Sequence, residues 1–130
     1  MTPKKALVVD DEQDCVEFVK AVLEEEGLEV ISARDGEAGL AAARAHRPDL
    51  IVLDVQMPKK DGFTVFSELR QDDATKGIPV IMLTGIGEKT GVRFSRADMR
   101  DFLGKEPEAY VEKPADPETL RSTVRAVLRL

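Results

Sequence analysis

Five residues spread along the 130-residue chain have types and positions suited to one kind of chemistry: Asp10, Asp11, Asp54, Thr84 and Lys113. Each stands at or just beyond the end of a short apolar run. An acid closing such a run cannot be buried alone, because an isolated charge costs several kcal/mol or more away from water. Carboxylates gathered about 4 Å apart repel pairwise by roughly 4 kcal/mol at an effective dielectric near 20. A cluster of three must therefore hold a cation or a proton. An all-oxygen site with room for water suits Mg2+ better than zinc. With a hydroxyl and an ammonium added, the set meets the needs of a transferred phosphoryl group. The cation and Lys113 would neutralise its oxygens, and Thr84 would donate one hydrogen bond. Asp54 would be the nucleophile, forming an acyl phosphate.

These residues meet only if the fold brings the run ends together. Ala6–Val9, Val30–Ile31, Leu50–Leu53, Val80–Leu83 and Ala109–Val111 read as strands buried on both faces. Helical spacing fills the gaps. Cys15, Phe18, Val19, Val22 and Leu23 share one face, and Gly27 stands where a helix end favours positive φ. Ala38, Ala41, Ala42 and Ala45 mark a second helix, with Gly39 a minor blemish, and Val65, Phe66 and Leu69 mark a third. In the last, Asp116 caps, Pro117 suits the first position, and Leu120, Val124, Val127 and Leu128 form the stripe. Alternating strands and helices imply a doubly wound α/β fold: a flavodoxin-like parallel sheet of five strands, order 2-1-3-4-5, with five helices. In that order strands 1 and 3 are neighbours at the switch point, so Asp10, Asp11 and Asp54 converge beyond their carboxyl ends.

Composition narrows the rest. The chain is 42% hydrophobic and 34% charged, which suits one globular domain over residues 1–130. No apolar run approaches the roughly 20 residues of a membrane span, and the N-terminus lacks a signal-peptide core. A cytoplasmic location without membrane contact is the expectation. A net charge of −6 argues against nucleic acid as a partner. The single cysteine, Cys15, reads as core, and the single histidine, His46, as a solvated helix end. Lys59 and Lys60 read as solvated loop charges.

The segments "VVDDE", "DLIVLDVQMPKKDGF", "PVIMLTG" and "AYVEKP" together resemble the receiver domain of two-component response regulators, from about Lys5 onward. The resemblance implies that Asp54 is the phosphoacceptor and that Asp11 and Asp54 bind Mg2+ directly. Asp10 would bind it through water, and the backbone carbonyl of Gln56 would complete the protein ligands. It further implies Thr84 and Lys113 on the phosphoryl group, a cis Lys113–Pro114 peptide, and a small residue at Gly85. Tyr110 would be the aromatic that swings inward as Thr84 moves. Phosphorylation takes a carboxylate from −1 to near −2 and drives that switch.

The resemblance implies a regulatory phosphoacceptor rather than an enzyme. With the sequence closing at Leu130 after its last helix, a chemotaxis-type single-domain receiver with no output domain is the expectation. Its donor would be a sensor histidine kinase or phosphotransfer protein. A downstream protein partner would bind the face of the fourth helix, fifth strand and fifth helix, and a phosphorylation-dependent homodimer would use that face too. Two alternatives differ in class. A haloacid-dehalogenase-like phosphatase wants Asp-x-Asp, but Gln56 stands where the second acid belongs. A scaffold that takes no phosphate would have lost an acid or the lysine, and all are present here. The connection from Thr84 to Lys113 is longer than the resemblance expects by roughly two helical turns. Gly85, Gly87 and Gly91 delay its helix, which the signals Ser95 (cap), Phe94 and Met99 (staple) and Gly104 (stop) assign further on.

Overall fold

The computed structural model of the protein describes residues 4–55, 57, 60–85, 109–113 and 116–129. The apolar runs form five strands: β1 (Lys5–Val9), β2 (Glu29–Ala33), β3 (Leu50–Asp54), β4 (Val80–Gly85) and β5 (Ala109–Lys113). All pair in parallel, in the order β2-β1-β3-β4-β5, as the alternation of strand and helix requires. Four helices are described: α1 (Gln13–Glu25), α2 (Gly36–His46), α3 (Gly62–Gln71) and α4 (Pro117–Leu128). The helix expected after Ser95 lies outside the described residues.

Alternation along each strand splits the interior in two. Leu7, Val9, Ile51, Leu53, Val80 and Met82 pack with α2 and α3 around Phe66 and Leu69. Ala6, Val8, Leu50, Val52, Ile81 and Leu83 face α1 and α4, where Val19, Leu23, Leu120 and Val124 close the layer. β3 is buried along its whole length, whereas β2 is an edge strand with Glu29 and Ser32 exposed. The expectation that Val30–Ile31 is buried on both faces is corrected accordingly: only one neighbour covers that strand, and both residues are half-buried.

Helix ends follow local chemistry. Asp35, Asp61 and Asp116 each accept a hydrogen bond from the backbone N–H three residues on. Gly27 follows α1 at φ 81°, the left-handed geometry that costs glycine nothing. His46 ends α2 exposed, as expected. Cys15 is half-buried at the rim of its layer rather than inside it.

The buried face of α2 differs from the alanine pattern. Gly36, Gly39, Leu40 and Ala43 point inward, while Ala38, Ala41 and Ala45 are exposed. Gly39 is no blemish: a Cβ there would lie 2.8 Å from Val9 Cγ1 and 2.9 Å from Cγ2, so its absence lets α2 approach β1.

α1 and α4 are joined by charge. Arg121 donates to Glu25 at 3.0 Å, and Arg125 donates to both Glu26 oxygens, one at 3.2 Å. The Arg125 hydrogen bonds, helped by attraction to Arg125 and Arg121, outweigh burial and hold the Glu26 carboxyl below its ordinary value of 4.5. A carboxyl with a depressed folded pKa stabilises the fold above its unfolded pKa, and that contribution fades as pH falls through the folded value. Urea midpoints measured at pH 7 and below pH 4.5 should therefore fall more for the wild type than for Glu26→Gln. Equal falls would show that the pair contributes nothing.

Candidate functional site

The strand ends deliver the expected acids. β1 and β3 are neighbours with Val9 opposite Leu53, so Asp10 and Asp54 each stand one residue past a paired level, on strands about 4.8 Å apart. Both are enclosed: Asp10 is 0% and Asp54 3% exposed. On the other side of β3, Asp54 pairs with Leu83, which puts Thr84 one residue beyond, 7% exposed. Lys113 stands opposite Gly85 in the β4–β5 register, at the same rim. Tyr110 stands opposite Met82, two residues short of Thr84's level. The side chains of Lys113 and Tyr110, together with Gln56 and Pro114, lie outside the described residues.

The turn after β1 is built around the acids. Asp10 donates its N–H to Ala33 O at 3.1 Å, which ties the turn to the end of β2. The carboxylate Oδ1 of Asp10 accepts from the Glu12 N–H at 3.0 Å, turning the chain into α1. Glu12 is the helix N-cap yet makes no side-chain cap hydrogen bond. Carboxylate oxygens of Asp10, Asp11 and Glu12 all lie within 4.8 Å of one another. At such spacing each like-charged pair repels by about 3 kcal/mol at an effective dielectric near 20. The donors are all carboxylate oxygens, and Asp11 and Glu12 remain partly or fully open to water. Hard oxygen donors with solvent access fit Mg2+, which retains several of its waters. Glu12, the third acid of this cluster, is not among the site residues expected from the sequence.

The loop after β3 is equally constrained. Gly62, the first residue of α3, donates to Val55 O at 2.7 Å. A Cβ on Gly62 would lie 2.3 Å from the backbone oxygen of Asp54 and 2.7 Å from Val55 Cα, so only glycine lets α3 start this close to the acid. Lys60 is not the solvated charge expected. Its Nζ lies 2.7 Å from Glu68 Oε2 with the side chain 26% exposed, and its backbone oxygen would be 2.7 Å from a Cβ on Gly36. The lysine bridges the β3–α3 loop to both helices of its layer.

Comparison with known proteins agrees with this geometry. Residues 6–125 match the family described as the response regulator receiver domain. The alkaline phosphatase synthesis transcriptional regulatory protein PhoP of Bacillus subtilis is 42% identical over 128 residues, covering 97% of this chain and 49% of PhoP. The chain thus spans about half the length of the first curated relatives it matches. Protein PilH of Pseudomonas aeruginosa is 37% identical, with 95% of this chain and 97% of PilH covered. Among solved structures, the chemotaxis protein CheY4 of Vibrio cholerae superposes with a TM-score of 0.82 at 32% identity, covering 98% of this chain and 100% of that one. No described helix is long and apolar enough to cross a membrane.

Proposed function

The chain belongs to the response regulator receiver domain family of two-component signalling, and from that premise we propose that it is a switch set by phosphorylation of Asp54. The observation that carries the reading is the gathering of enclosed Asp10, Asp54 and Thr84 at one rim of a parallel sheet, with an acidic turn beside them. The donor would be the phosphohistidine of a histidine kinase or phosphotransfer protein in the cytoplasm. A carboxylate oxygen of Asp54 forms a bond to phosphorus as the P–N bond breaks, and the imidazole nitrogen keeps that electron pair. Mg2+, held by Asp10, Asp11, Asp54 and the Gln56 carbonyl, would supply positive charge against the phosphoryl oxygens.

The remaining parts belong to the chain itself. Lys113 pairs with a phosphoryl oxygen, and the Thr84 hydroxyl donates to another. As Thr84 is drawn toward the phosphoryl group, Tyr110 is the aromatic that would follow it. The repacking would reach the surface of β5 and α4, where a downstream protein or a second receiver would read it. Moving from about 1% to 99% active requires phosphorylation to favour the active state by roughly 5.5 kcal/mol.

Incubation with acetyl phosphate and Mg2+, followed by intact mass and peptide mapping, tests the chemistry. The expected result is one alkali-labile phosphoryl group on the peptide carrying Asp54, absent when Mg2+ is chelated. No incorporation would leave a receiver fold without the phosphoacceptor role. Sustained turnover of phosphate esters would make the protein a phosphatase instead.

A further inference from the structure

We infer that Arg34 is a positioning residue for the metal-binding turn, acting on the acids without touching the phosphoryl group; this rests on the Mg2+ site proposed above. Arg34 follows the last residue of β2, immediately after Ala33, whose carbonyl receives the Asp10 N–H. Its guanidinium spans the neighbouring turn. Nη2 donates to the backbone oxygen of Asp11 at 2.8 Å, and Nη1 donates to the side-chain oxygen of Gln13. The two anchors lie on either side of Glu12, so one rigid fork holds the segment that carries Asp11 and Glu12.

The turn needs such a hold. Three carboxylate oxygens within 4.8 Å of one another push the segment apart when no cation is present, and Glu12 contributes no side-chain cap bond to keep α1 in place. Asp11 and Glu12 also have fewer enclosing neighbours than Asp10, since they are partly or fully exposed. Arg34 grips a main-chain oxygen, not a carboxylate, so it fixes the turn while leaving the Asp11 carboxylate to the cation. Outer groups that orient ligands in this way typically change metal affinity by tenfold or more when removed.

The test compares wild type, Arg34→Ala, Arg34→Lys and Gln13→Ala in two measurements. Calorimetric titration with Mg2+ alone is expected to show affinity about tenfold weaker for Arg34→Ala. Arg34→Lys keeps the charge but cannot span both anchors, so it should recover only part of the affinity. Gln13→Ala, with no change of charge, should weaken binding in the same direction. Hydrogen exchange of residues 11–13 in metal-free protein is expected to quicken severalfold in Arg34→Ala. Unchanged or tighter Mg2+ binding in Arg34→Ala would overturn the inference, as would unchanged exchange. Should the wild type bind no Mg2+ at all, the site reading fails separately, and exchange in metal-free protein still decides whether Arg34 holds the turn.

Discussion

Asp54→Asn is expected to take up no phosphoryl group from acetyl phosphate under conditions that modify the wild type fully, a fall on the order of a thousandfold or more. The reason is chemical. Asparagine keeps the volume and one acceptor of aspartate, so the enclosed pocket at the end of β3 should survive. Its amide oxygen, however, cannot form the acyl phosphate. The substitution also removes one negative charge from a rim that holds Asp10, Asp11 and Glu12, which relieves repulsion. A melting temperature no lower than that of the wild type is therefore expected, separating lost chemistry from lost folding. Mg2+ should raise the wild-type melting temperature more than that of the variant, because a ligand stabilises more the tighter it binds the folded state. Full incorporation in the variant would move the acceptor to another acid, Asp11 first.

Gly62→Ala is expected to destabilise the protein by about 3 kcal/mol or more. Propensity alone points the other way, since alanine favours a helix over glycine by roughly 1 kcal/mol. Geometry decides the sign. The added methyl would meet Asp54 O at 2.3 Å, Val55 Cα at 2.7 Å and Asp54 C at 3.0 Å. All three are backbone atoms of a buried strand end and have no rotamer to give. Either α3 must shift away from β3 or the peptide after Asp54 must twist, so the variant should also phosphorylate slowly if it folds. Gly77→Ala is the control, because a Cβ there meets nothing within 4 Å, and its urea midpoint should correspond to a stability within about 0.5 kcal/mol of the wild type. A Gly62→Ala midpoint equally unchanged would mean the contact relaxes freely.

The sequence makes legible whatever local pattern encodes. Asp116 before Pro117 and the stripe through Leu120 and Val124 predict α4 and its cap, both present. The parallel order follows from alternation, and with it the approach of Asp10 to Asp54, because neighbouring strands of known direction leave little freedom at their ends. Features that depend on distances across the fold escape such reading. Gly39 and Gly62 are glycines because Val9 and Asp54 come within 3 Å of where a Cβ would be, and nothing near them in sequence announces it. Lys60 reads as a loose loop charge because its partner, Glu68, belongs to the far turn of α3. The alanines of α2 mislead for a related reason. In a helix rich in small residues, hydrophobicity does not mark the buried face; close approach does, and Gly36 and Gly39 carry it.

Because residues of β3 alternate between the two interior layers, with Ile51 and Leu53 serving one and Leu50 and Val52 the other, Asp54 terminates a beam shared by both compartments. Tension applied at that end is not confined to one storey of the building. A change in packing at the end of this girder would bear on the helices above and below alike.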